Sequence, residues 1–154
     1  MENYSMEEAV YLRRLNENDV ESLRQLIGLF RMVFEENPNA LPSKTYHQKL
    51  LANPHFLAFC AFDHQKVVGG ITAYELQKYD QEASEIFVYD IAVHPDFHRK
   101  GLGKQLVEAL TEYGKAHNVQ VIFVGAHEED QHALDFYQAT GGKGEKVVLF
   151  NYQP

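Results

Sequence analysis

Cysteine is almost absent: Cys60 is the only one in 154 residues, which excludes an internal disulfide. It sits in the apolar run FLAFCAF, where a buried, inert thiol is expected rather than a nucleophile. No apolar run is long enough to cross a bilayer. The opening residues, MENYSMEEAV, are acidic and lack the basic-then-apolar layout of a secretory signal, so a cytoplasmic protein is expected, with no membrane partner. Basic residues are scarce: 14 Lys and Arg stand against 22 Asp and Glu, a net charge of −8. That balance argues against nucleic acid, whose binding rests on many cation–phosphate contacts. It suits a small cationic partner, although acidity that serves only solubility also accounts for it. Repeats, low-complexity tracts and linkers are missing too, so a single domain over 1–154 is expected.

What is present is a regular alternation of apolar patterns. Residues 10 to 15 read as a strand, and Asn18 with Glu21 reads as a capping box for a helix whose stripe is Val20, Leu23, Leu26, Ile27, Phe30 and Phe34. Two prolines break residues 36 to 43, and Ser43 is placed to cap a short helix through Leu51. Strands at 56 to 62 and 66 to 76 flank a hairpin turn at Asp63, His64 and Gln65. Residues 84 to 93, SEIFVYDIAV, are apolar on both faces and read as a central strand. A helix follows 102 to 113, then a buried strand at 119 to 126, a helix at 130 to 140 closed by Gly141, and a last strand at 145 to 152. The expected fold class is α/β, a central mixed sheet flanked by helices.

Between the central strand and the next helix lies HPDFHRKGLGKQL, residues 94 to 106. Glycine permits positive φ and close approach of a ligand to the backbone. The N–H groups at a helix start converge, and the helix dipole favours an anion there. Arg99, Lys100 and Lys104 add positive potential around Gly101, Leu102 and Gly103, so a phosphate or pyrophosphate fits. A dinucleotide fingerprint fails because position 106 is Leu, and a Walker motif fails because Lys104 is followed by Gln105. A plain glycine turn with solvated cations remains open at this point. The eight histidines carry no accompanying cysteine cluster or His-Glu-x-x-His, so no functional metal is expected.

Residues 98 to 103 resemble the Arg/Gln-x-x-Gly-x-Gly/Ala signature of the GCN5-related N-acetyltransferase (GNAT) family, departing only at His98. Phe136, Tyr137 and Gly141 fit the aromatic-Tyr-x-x-x-Gly segment of the same family. Within it, the stretch 84 to 141 is similar to the type I aminoglycoside 3-N-acetyltransferases, through Tyr89 to Val93 and the acidic residues Glu128, Glu129 and Asp130. The resemblance implies a GNAT acyl-CoA N-acyltransferase fold that uses acetyl-CoA as co-substrate. It implies direct transfer of acetyl to the 3-amino group of an aminoglycoside, giving antibiotic resistance, by a protein that forms a homodimer. The same chemistry on a polyamine, an amino acid or a protein N-terminus stays open, as does a non-catalytic acyl-CoA sensor.

The resemblance also assigns roles. Donor pyrophosphate is expected on the turn from His98 to Lys104, and the pantetheine arm along Ile91, Ala92 and Val93, with Asp130, Ala133 and Phe136 beside it. Asp130 reads equally as a helix N-cap. Tyr137 is the candidate acid for the departing thiolate, against a plain core tyrosine. By strand alternation Ile86, Val88, Asp90 and Ala92 share one face, and a carboxylate there is costly unless paired. An acceptor amine would pair with Asp90, which would also take its proton; a protein Arg or Lys is the structural alternative. Glu85, Glu128 and Glu129 are expected to extend an acidic acceptor wall, with Glu36 and Asp80 as weaker members.

Overall fold

The computed structural model describes residues 10 to 154. The chain divides into two compact units, one reaching to Val124 and the other Gly125–Pro154. In the first, the order is β1 (Val10–Arg14), α1 (Val20–Val33), α2 (Lys44–Ala52), β2 (Phe56–Asp63), β3 (Lys66–Gln77), β4 (Ser84–Val93), α3 (Leu102–Ala116) and β5 (Val119–Val124). The strands lie in sequence order, β1-β2-β3-β4-β5. The first four pair antiparallel and β5 joins β4 in parallel, so the sheet is mixed as expected.

Alternation along β2 divides the core into two layers. Phe56, Ala58, Cys60 and Phe62 face α1, where they meet Leu23, Leu26, Leu29 and Phe30. Leu57 and Phe59 face the other way and join Ile71, Ile86, Leu106 and Leu110 under α3. Cys60 is fully buried, and that burial pushes its thiol up to about 12, which makes it inert as expected. Gly70 in β3 sits where an added Cβ would come within 2.4 Å of Leu26, so glycine is what lets α1 close onto the sheet.

Three local expectations need correction. The cap of α1 is Asp19, not Asn18, and no side chain caps the helix; the Asp19 carboxylate turns back to accept two hydrogen bonds from Arg13 at 2.8 Å each. The β5 strand is apolar but not buried: it forms the sheet edge, and Val121 and Phe123 are exposed. The strand expected at 145 to 152 is not formed. Val147, Val148, Leu149, Phe150 and Tyr152 are 76–92% exposed, and without a partner ladder β propensity does not make a strand. Ser43 does cap α2, accepting from the Tyr46 N–H at 3.1 Å.

The second unit holds α4 (Gln131–Ala139). Its start is capped by Asp130, whose carboxylate accepts from the Ala133 N–H at 3.1 Å. Its end is closed by Gly141 in the left-handed region, at φ 99°.

Candidate active site

The β4–β5 ladder runs from Ser84 and Val119 to Val88 and Val124, and there it stops. β4 continues to Val93, so from Tyr89 onward its backbone on the β5 side has no strand partner among the described residues. An extended ligand carrying amides can add to such an edge by main-chain hydrogen bonds. The candidate donor residues Ile91, Ala92 and Val93 lie on this open stretch.

The chain then turns through Pro95–Phe97 into α3. Gly101 is the N-cap at φ 77°, no side chain caps the helix, and no acidic residue stands in its first turn. The first amides of α3 are therefore left for solvent or a ligand. Arg99 is also left-handed, at φ 63°. The extended His98 precedes it, and two left-handed torsions within one such turn are of the kind found in anion-binding concavities. A Cβ at Gly101 would meet nothing within 4 Å, so the torsion, not crowding, calls for glycine. The Lys100 ammonium lies 5.0 Å over the Phe97 ring, and Lys104 reaches Glu108 at 3.9 Å. His98, the departure from the signature, donates from Nε2 to the Val93 carbonyl at 2.9 Å. Its ring thus fastens the start of the turn to the end of β4.

Asp90 is placed by an irregularity that alternation did not reveal. Thr72 pairs with Asp90 and Ala73 with Val88, leaving Tyr89 as an extra residue on β4. This β-bulge reverses the faces beyond it. Ile86, Val88 and Ile91 pack in the α3 layer, whereas Ala92 packs in the α1 layer. Asp90 therefore does not share a face with Ile86 and Val88; it stands on the α1 side, opposite Thr72. It is half-buried and has no ion pair among the described residues, so the structural salt bridge finds no partner there. Burial, and then the nearby charge of Glu36, push its carboxyl above the ordinary aspartate range. Such a group gains from a cation brought beside it and is able to accept a proton.

Aromatic side chains surround that position. Tyr74 and Tyr89 meet at 5.9 Å with rings 72° apart, and Phe56 packs on Tyr74 at 5.3 Å. Sequence reasoning missed these tyrosines, because 14 intervening positions and a bulge separate them along the chain. Glu36, in the loop after α1, is the second cause of the raised Asp90 carboxyl.

The remaining assignments fall elsewhere. Glu85 lies near the start of β4, about 16 Å along the strand from Asp90. Its carboxylate is 3.8 Å from the Lys78 ammonium. A depression lined by Glu75, Lys78, Asp80, Ser84 and His117 adjoins that end. Its carboxylate Glu75 is already engaged, accepting from Tyr113 at 2.6 Å and from Ser84 at 2.9 Å. In the second unit Glu128 and Glu129 are exposed, and Asp130 performs the N-cap role that was weighed for it. Phe136 and Tyr137 meet edge to face at 5.3 Å. The Gly142 N–H donates to the Tyr137 carbonyl at 2.8 Å, and a Cβ on Gly142 would approach that oxygen to 2.9 Å. Among the described residues no cluster of three metal-ligating side chains occurs.

A parallel ladder that stops while β4 runs on toward an uncapped helix start leaves an edge for an extended ligand followed by a turn suited to an anion. The chain belongs to the acetyltransferase (GNAT) family, whose model matches residues 23–141. It is 38% and 37% identical to two structures of an aminoglycoside acetyltransferase from an uncultured soil metagenomic sample, solved with trehalose and with sisomicin. Each comparison covers 94% of this chain and 96% of the other, at a TM-score of 0.90. A further aminoglycoside acetyltransferase from soil metagenomic material is 34% identical, over 95% of this chain and 99% of its own, with a TM-score of 0.86. Among curated proteins, the ribosomal protein bS18 alanine N-acetyltransferase of Salmonella typhimurium is 31% identical over 70 residues, 46% of this chain. That match spans 47% of the relative's length, so it covers about half of either protein.

Proposed function

We propose that the chain transfers the acetyl group of acetyl-CoA directly to a primary amine of an aminoglycoside, at the 3-amino group of the deoxystreptamine ring, as one GNAT domain over 1–154. The observation that carries this is the juxtaposition of an open backbone edge on β4, an uncapped helix start beyond it and a carboxylate, Asp90, with no ion pair among the described residues. The likeness to aminoglycoside acetyltransferases over 94% of the chain supports the acceptor class.

In this reading the amides from Arg99 to Lys104 hold the pyrophosphate, and Ile91 to Val93 hold the pantetheine arm as an added strand. A backbone N–H at Ile91 or Ala92 polarises the thioester carbonyl. Asp90 pairs with the acceptor ammonium and takes its proton, directly or through water. The freed amine attacks the carbonyl carbon, the C–S bond breaks, Tyr137 gives its phenolic proton to the sulfur, and the second proton shed by the new amide nitrogen returns through water to the Tyr137 phenolate. Phenol and thiol have reference pKa values of about 10 and 8.5, so the transfer is not strongly driven, and the local charge on sulfur makes it feasible. Asp130, Ala133 and Phe136 flank the arm, and Glu36, Glu128 and Glu129 steer a polycation. Glu85, held by Lys78, is the weakest of the acidic assignments. No step needs a metal. The exposed apolar residues Val147 to Phe150 would be covered in a homodimer, and the role would be resistance exercised in the cytoplasm.

The test is mass spectrometry of an aminoglycoside panel, spermidine and an alanine-initiated peptide incubated with acetyl-CoA. Sisomicin is expected to gain one acetyl group on the 3-amino nitrogen. Gain on spermidine or on the peptide alone would overturn the acceptor; the peptide is included because of the likeness to the alanine N-acetyltransferase. Tyr137→Phe is expected to slow transfer at least tenfold while donor affinity holds.

A further inference from the structure

Beside Asp90 the sheet presents an aromatic corner that the reaction scheme leaves unused. Tyr74 lies two residues from Thr72, the partner of Asp90, so its side chain shares the Asp90 face. Tyr89 is the bulge residue itself, and its ring meets that of Tyr74 at 5.9 Å and 72°. Rings stacked in parallel would close their faces against each other; rings near a right angle make two walls of an open corner. Phe56 backs Tyr74 at 5.3 Å, and Phe87 backs Tyr89 at 6.0 Å. Both walls are thus held in place by ring packing. The Tyr74 phenol is pushed up first by burial and then by the Tyr46 and Tyr89 phenols. Tyr89 is 63% exposed, so the corner opens to solvent.

Tyrosine ring faces carry negative electrostatic potential and attract a cation within about 6 Å of the centroid. The corner adjoins a carboxylate with no cationic partner among the described residues, and Glu36 adds to the negative field. A neutral apolar ligand would leave Asp90 unpaired, and an anion would be repelled. A protonated amine on a carbon ring satisfies both features: its charge meets Asp90 and its C–H face lies on a tyrosine.

We infer that Tyr74 and Tyr89 form an aromatic box that receives the protonated amine of the acceptor beside Asp90 and discriminates cationic from neutral ligands. This rests on the acetyl-transfer reading of the site, and it names the residues that select the substrate.

The experiment is calorimetric titration of CoA-loaded protein with sisomicin, spermidine and neutral trehalose, using wild type, Tyr89→Phe and Tyr89→Leu. Tyr89→Phe keeps the ring face, so affinity for the cations is expected to stay within threefold of wild type. Tyr89→Leu is expected to weaken cation binding tenfold or more with CoA affinity unchanged, and trehalose is expected to bind weakly to all three. The exposure of Tyr89 makes both variants compatible with folding, which circular dichroism checks. Cation binding by Tyr89→Leu equal to wild type overturns the box while leaving the acetyltransferase reading intact. Binding of spermidine but not sisomicin by wild type, lost in Tyr89→Leu, upholds the box and overturns the aminoglycoside. Failure of wild type to bind either cation overturns the box.

Discussion

Replacing Gly70 by alanine adds one methyl group at the point where α1 rests on β3. A Cβ there lies 2.4 and 2.8 Å from the two Leu26 methyls and 3.0 Å from the Phe59 carbonyl oxygen. Carbon atoms rest about 3.5–4.0 Å apart, so Leu26 would have to withdraw by more than about 1 Å. Leu26 is fully buried in a close-packed layer and has no free volume to move into. Overpacking of this kind costs about 1–3 kcal/mol, and three simultaneous clashes, one with backbone, place it near the top of that range. The loss of glycine's extra freedom in the unfolded chain returns about 0.4–1 kcal/mol. The net destabilisation is about 2 kcal/mol, or about 4–8 °C in Tm for a chain of this size. Gly69 supplies the internal control: its Cβ would lie 3.3 Å from the Ala92 oxygen and a Val93 methyl, a squeeze of a few tenths of an ångström. Gly69→Ala is therefore expected to change Tm by under about 3 °C. Urea unfolding of Gly70→Ala, Leu26→Ala and the double variant completes the test. The paired costs should fall short of additivity by at least about 1 kcal/mol, because removing the Leu26 methyls removes the clash. A Gly70→Ala protein as stable as wild type, or strictly additive costs, would refute the packing account.

Asp90→Asn is expected to reduce turnover at least a hundredfold while donor affinity holds and Tm at pH 7 stays level or rises, since a half-buried charge without a partner is removed. For the same reason kcat/KM for the amine should climb with pH through an apparent pKa above that of ordinary aspartate, because only the ionised carboxylate pairs with the ammonium; a flat profile across that range would count against Asp90. Gly101→Val forces a branched residue to φ 77° and is expected to raise the KM for acetyl-CoA tenfold or more, with the acceptor KM little changed. Asp19→Ala is expected to cost about 1–3 kcal/mol at pH 7. The hydrogen bond from Arg13 holds the Asp19 carboxyl below the usual range, so its contribution is full above the unfolded carboxylate pKa and fades as pH falls through the depressed folded value. Urea midpoints of wild type and variant should therefore converge in strong acid.

The strands and helices through Ala139 were legible because each keeps one apolar period and carries its own stop signal. Ser43, the turn before Lys66 and Gly141 do locally what their chemistry dictates. The phosphate turn was legible for the same reason: a strand, two glycines, cations and a helix follow one another within a few residues. Residues 145 to 152 show the limit of that reasoning. Their apolar content matches a strand, yet a strand exists only where another strand accepts its hydrogen bonds.

Local pattern by itself thus determined which segments through Ala139 are helix or strand, the family, and the main-chain turn into α3. Tertiary pairing alone decided which face Asp90 occupies. Strand alternation assigns a side chain to a face only while the ladder stays in register, and the extra residue Tyr89 breaks that register one position before the carboxylate. The meeting of Tyr74 with Tyr89, and the end of the β4–β5 ladder at Val88, arise from pairings between distant segments whose geometry no single stretch of sequence encodes.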